Sequence, residues 1–215
     1  MTVLSARAVL LDMDGTLVDS TAAVERIWLS WAEGHGLDPA TVLEVVHGRQ
    51  GHESMAILLP HRSTAENLAD NVRHLREETS DLDGVVAIPG ARELLAALDG
   101  QPHALVTSAD VALMEARMGA AGLSVPALAV TAERVSASKP HPEGFLLAAR
   151  LLGVDPVDCV VFEDSGAGIE AGKAAGMRVV GVGEAAIAHG PDHVVADLTG
   201  VAIARVESGL TIALG

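Results

Sequence analysis

The stretch Val9-Leu10-Leu11-Asp12-Met13-Asp14-Gly15-Thr16-Leu17-Val18-Asp19-Ser20 sets two carboxylates two residues apart where an apolar run stops at a glycine. An apolar run broken by Asp-Gly reads as a buried strand with an abrupt end. In parallel α/β sheets the carboxyl ends of strands are where ligands bind. From an extended strand, residues i and i+2 point to the same side, so Asp12 and Asp14 would face one mouth. Such a pair suits phosphoryl transfer. Asp12 can act as nucleophile by becoming an acyl phosphate. Asp14 can protonate the departing alcohol and later take a proton from water. The same motif has plainer readings as a metal-binding Asp-x-Asp of the glycosyltransferase type or an ordinary Asp-Gly turn. An EF-hand loop is excluded: counted from Asp12 the glycine is fourth and position twelve is Ala23, where that loop needs glycine sixth and glutamate twelfth.

Partners stand downstream, each at the end of another apolar run. Ala104-Leu105-Val106 leads into Thr107-Ser108, offering a hydroxyl and free backbone amides. Ser138-Lys139-Pro140 places a cation before a helix-like segment, and Cys159-Val160-Val161-Phe162 ends in Glu163-Asp164. Thr107 can donate to a phosphoryl oxygen, and Lys139 can neutralise charge on phosphate and nucleophile. Glu163 and Asp164 add hard oxygen ligands for Mg2+. Taken singly, a Thr at a strand end is a cap, a Lys before Pro is solvated, and Glu-Asp caps the next helix. Their shared order along one chain favours the functional reading.

Together these motifs, with Gly166-Ala167-Gly168-Ile169 and Ala174-Ala175-Gly176-Met177 after them, resemble the haloacid dehalogenase superfamily. Within it the chain is similar to the small sugar-phosphate phosphatases with a helical cap, over nearly its whole length. The resemblance implies Asp12 as nucleophile, Asp14 as acid/base, and Thr107 and Lys139 as holders of the phosphoryl group, with Met13, Asp14 and Ser108 beside it. It implies magnesium held by Asp12, the backbone carbonyl of Asp14, and Asp164 helped by Glu163. The substrates it implies are hexose, hexitol or glycerol phosphates. Other chemistries of the superfamily fit less well. Dehalogenases lack the second aspartate, which is Asp14 here. Phosphonatases use a cap lysine, and residues 17–86 contain none. The alternative is a phosphosugar mutase resembling β-phosphoglucomutase, against which Thr16 and Val24 speak. Signalling receiver domains share an acceptor Asp with Thr and Lys, but as single domains of about 120 residues without a helical insert.

Periodicity predicts one interruption of the core. After the first strand, helical patterns run over Ala22–Gly34, Ala40–His47, His52–Leu59 and Ala65–Thr79. Val85-Val86-Ala87-Ile88-Pro89-Gly90 then reads as an extended return. Strands near Ala104, Leu128, Val160 and Val179 alternate with helices starting near Ala91, Asp110, Pro142 and Ser165. The expected fold is α/β: a doubly wound parallel-sheet, Rossmann-like core of residues 1–17 and 86–215 with a small helical cap domain of residues 18–85. The tail from Val201 to Leu214 is expected to form a terminal hairpin around Ser208-Gly209.

Specificity is expected from the cap. Glu25, Trp28 and Glu33 lie at helical spacing. The turn His47-Gly48-Arg49-Gln50-Gly51-His52 gathers imidazole, guanidinium and amide donors at a glycine-flexible bend able to close over the site. Glu25, His47, Arg49 and Gln50 are the substrate candidates, against readings in which Trp28 and Trp31 fill a cap core and the histidines are solvated. The loop from Gly166 to Lys173 matches neither a P-loop, since Ala167 and Ala174 stand at required positions, nor a dinucleotide fingerprint. It reads as close helix-to-strand packing behind Asp164.

Composition bounds the partners. The 215 residues are 49% apolar with a net charge of −15, enough for one core and a small insert. An acidic chain with 2% aromatics lacks the basic, stacking surface that nucleic acid needs. No apolar run approaches the ~20 residues of a membrane span, and lone Cys159 suits a reducing compartment. The expectation is a cytoplasmic enzyme of small phosphorylated sugars or polyols, without membrane or nucleic-acid partner, as a monomer or weak homodimer.

Overall fold

The computed structural model describes residues 2–215. The strand carrying the double-aspartate motif is β2 (Ala8–Leu11), preceded by β1 (Thr2–Ala6), which belongs to a different sheet. β3 (Val18–Asp19) pairs antiparallel with β4 (Val86–Ala87), and between them run α1 (Thr21–His35), α2 (Pro39–Val46), α3 (Gly51–Leu58) and α4 (Thr64–Ser80). The return segment expected at residues 85–90 is thus partly strand. Each helical expectation is met to within a residue or two at its ends. Local signals explain this: Asp38 accepts from Thr41 N–H, Ser63 and Glu66 form a reciprocal capping box, and Gly36 ends α1 in the left-handed region.

The chain continues through α5 (Ala91–Ala97), β5 (His103–Val106), α6 (Val111–Ala120), β6 (Ala129–Val130), α7 (Glu143–Leu152), β7 (Cys159–Glu163), α8 (Gly166–Ala174), β8 (Arg178–Val182) and β9 (His193–Val195). The main sheet is six-stranded and parallel, in the order β6-β5-β2-β7-β8-β9. β9 is a strand that the sequence reading omitted. β2 and β7 are buried at every residue, as central strands covered on both faces must be.

Alternation along these strands sends Val9, Leu11, Val160, Phe162 and Val180 into one apolar cluster with α5 and α6. Leu10, Val161 and Val179 enter another with α7 and α8. That is the doubly wound arrangement. The tail forms the expected hairpin of β10 (Val201–Val206) and β11 (Gly209–Leu214), and β1 adds to it in a three-stranded antiparallel sheet. Leu210, Ile212 and Leu214 place that sheet's inner face in the same cluster as Leu11. The four inserted helices have their own cluster of Val24, Trp28, Ala32, Val42, Val46 and Met55.

Candidate active site

Strand order places the site. β2 lies between β5 and β7, and helices leave neighbouring strands toward opposite faces, opening a crevice at their carboxyl ends. Asp12 follows β2, Thr107 and Ser108 follow β5, and Glu163 ends β7 with Asp164 just beyond it. Lys139 arrives from the loop between β6 and α7. It is buried, hydrogen-bonds Asp12, and donates to Glu163 at 2.7 Å, with its ammonium 5.3 Å from the Phe145 ring. The solvated lysine of the plain reading is therefore absent.

Asp12, Glu163 and Asp164 each offer an oxygen within 4.8 Å of the others. Three acids against one ammonium leave the cluster short of positive charge. Desolvation, with the nearby charges of Glu163 and Asp14, pushes the Asp12 carboxyl up to about 8 despite Lys139. Burial and the charges of Glu163 and Asp12 raise Asp164 as well. For Lys139, burial alone would lower the ammonium, but Asp12 and Glu163 outweigh it and hold the proton above the ordinary range. Hard oxygens lacking a counter-charge are the donor set that a divalent cation fits.

Glycines make room for this cluster. A Cβ on Gly15, whose φ is +80°, would lie 2.0 Å from an Asp164 oxygen, and one on Gly168 would lie 1.6 Å from a Glu163 oxygen. The glycine loop does pack behind the acids, as its composition predicted. Glu163 spends its other oxygen on Ser165, accepting from N–H at 2.7 Å and Oγ at 2.9 Å. It faces Lys139 and Ser165 as much as any ion. Ser165, not Glu163 or Asp164, caps α8.

A cavity of about 90 Å³ opens above the acids, walled by Asp12, Asp14, Thr107, Ser108, Asp164 and, from the inserted helices, Trp28, His47 and Arg49. The His47–Gly51 turn sits on the core: Ser108 Oγ donates to the Gly48 carbonyl at 3.0 Å, and Ser138 hydrogen-bonds Glu53 of α3. Gln50 lines an adjoining recess with Thr107, Ser138 and Lys139. Glu25 is half-buried and outside the cavity wall, and Glu33 is exposed. The Met13 side chain is fully buried in the core, which leaves only its backbone for a phosphoryl group. Trp28 both fills the cluster of the inserted helices and lines the cavity, so the two readings of it are compatible.

Three contributors went unread in the sequence. Ser20 Oγ donates to Asp14 Oδ1 at 2.7 Å, and Arg117 Nη1 lies 3.0 Å from Asp14 Oδ2. Glu78 Oε1 meets the same guanidinium at 3.2 Å. The signal for Arg117 was an arginine on the apolar face of α6, in phase with Leu113, Met114 and Met118.

Residues 6–176 match the family model of the haloacid dehalogenase-like hydrolases, and the chain belongs to that family. It is 46% identical over 175 residues to hexitol phosphatase A of Escherichia coli, covering 80% of this chain and 81% of that one. It is 33% identical to 2-deoxyglucose-6-phosphate phosphatase 2 of Saccharomyces cerevisiae, with 94% and 93% covered. A crystal structure of β-phosphoglucomutase from Clostridium difficile superposes with a TM-score of 0.79 at 25% identity, over 90% of this chain and 92% of that one.

Proposed function

We propose that the protein is a magnesium-dependent phosphatase of small phosphorylated sugars or polyols that works through an aspartyl-phosphate. The observation that carries this reading is the buried Asp12 carboxylate on Lys139, grouped with Asp164 and Glu163 under a small cavity. Asp12 attacks phosphorus: its oxygen forms the new P–O bond while the bond to the substrate alcohol breaks. Asp14 gives that alcohol its proton. Water then attacks the acyl phosphate, Asp14 removes a proton from it, and Asp12 returns with inorganic phosphate released. Lys139 and the Thr107 hydroxyl stabilise charge on the phosphoryl oxygens.

Asp12, the Asp14 carbonyl and Asp164 would hold the magnesium ion, with Glu163 beside them; when bound, it supplies charge that offsets repulsion between these acids and a dianionic ester. Residues 18–85 act as a cap on the core of residues 1–17 and 86–215, pivoting at the β3–β4 ladder. Its His47, Arg49 and Gln50 read the sugar, with the negative charge of Glu25 favouring a proton on His47. The similarity to hexitol and deoxyglucose-phosphate phosphatases supports hydrolysis over the mutase reaction that the β-phosphoglucomutase likeness suggests. We further place the enzyme in the cytoplasm, where a single unpaired cysteine such as the buried Cys159 suits a reducing compartment, and take it to act as a monomer or weak homodimer.

The test is phosphate release from a panel of hexose, hexitol and glycerol phosphates. Turnover is expected with magnesium, to cease with chelator, and to vanish in Asp12→Asn on every ester. Wild-type rates in that variant would overturn the reading.

A further inference from the structure

Asp14 is held at both oxygens by residues outside its own loop. Ser20, which starts the inserted helices, donates to Oδ1 at 2.7 Å, and Arg117 on α6 reaches Oδ2 at 3.0 Å. The other arm of Arg117 meets Glu78 at 3.2 Å, in the last turn of α4 shortly before the chain returns. The Arg117 side chain is 4% exposed and that of Glu78 9%. Burial of this kind is costly unless each charge is matched, and removing one partner leaves the others uncompensated. Arginine cannot deliver a proton, since its guanidinium stays protonated under all working conditions, but its rigid planar fork fixes two carboxylates at once.

From this geometry we propose that Arg117, clamped by Glu78, is the positioning residue for the acid/base Asp14. Proton transfer to and from substrate oxygen then operates only while the end of α4 is seated against α6. The inference rests on the phosphatase reading. The core supplies the arginine and the inserted helices supply the clamp, so the alignment of the acid/base depends on a contact made between the two.

Rapid-mixing kinetics with p-nitrophenyl phosphate separate the two half-reactions, because p-nitrophenolate departs with little need of an acid, whereas hydrolysis of the aspartyl-phosphate needs Asp14. Arg117→Ala is expected to keep a burst of p-nitrophenolate near one per active site, followed by steady turnover about a hundredfold slower than wild type. On an alkyl ester such as a hexitol phosphate its kcat falls while KM stays within about twofold, since the lost contact acts on proton transfer rather than on substrate binding. Glu78→Gln, which keeps the shape of the side chain, is expected to give a smaller loss of the same kind, and Arg117→Lys a partial recovery. This pair carries the test if Arg117→Ala does not fold. Equal loss of burst and steady rates, a raised KM with unchanged kcat, or unchanged or faster turnover in Glu78→Gln and Arg117→Ala would each overturn the proposal. Asp12→Asn separates the two levels: it should show no burst, and if it turns over normally the phosphatase reading itself fails.

Discussion

Gly168 shows how little freedom a single site position has. The Glu163 carboxylate occupies the space where a β-carbon would stand, and that carboxylate holds both Lys139 and Ser165. Gly168→Ala must displace Glu163 and loosen the ammonium that faces Asp12. We expect a loss of about 1–3 kcal/mol in urea unfolding, the range for overpacking a tight core, together with a fall in kcat larger than any rise in KM. Wild-type stability in that variant would show that Glu163 has room to move. The need for small residues in this loop was legible in the sequence; the carboxylate they accommodate was not, because composition records that a helix packs closely without recording against what.

At the scale of elements, α4 is the informative one. Its sequence reads as a polar helix, yet Asn67, His74 and Glu78 are buried along one face. His74 packs tilted against Trp28 at 4.2 Å between centroids, and neither of its ring nitrogens has a hydrogen-bond partner. Burial, with a smaller push from Arg117, lowers its pKa from 6.5 to about 4. The ring is therefore neutral near pH 7, and its 3.7 Å approach to Glu78 is not an ion pair. Between these two values the unfolded chain binds a proton that the folded chain refuses. The contribution is complete above pH 6.5 and is lost as pH falls toward 4, a change of about 3 kcal/mol. His74→Phe, which keeps a ring against Trp28, should flatten this slope. Measured unfolding free energies for the two proteins that stay parallel from pH 7 to 4 would contradict the assignment. The helix ends were legible because caps and periodicity are local signals. The buried polar face was not, since only packing against α1, α3 and α6 turns it inward.

For the whole molecule, the small sheet of β1, β10 and β11 decides cooperativity. Ile212 is fully buried in the cluster that also contains Leu11 and Phe162, so the far end of the chain packs against the layer under the acids. Ile212→Ala should cost about 2–5 kcal/mol, and activity and global structure should melt together in one transition. A cost near zero, or hairpin loss with catalysis intact, would mean that this sheet is an appendage. The sequence by itself determined the alternation of the main strands with their helices, the four-helix interruption, and the residue types at the ends of the site strands, because alternation, caps and glycine stops act over a few neighbouring residues; the short strands β3, β4 and β9 took the packed sheet to define. Only the tertiary structure decided which side chains meet. Lys139 reaches Asp12 across 127 positions and Arg117 reaches Glu78 across 39, and the same guanidinium meets Asp14, because strand order and helix seating bring them together. A charge can be buried only where the fold supplies its partner, and that supply is a property of the packed chain rather than of any stretch of it.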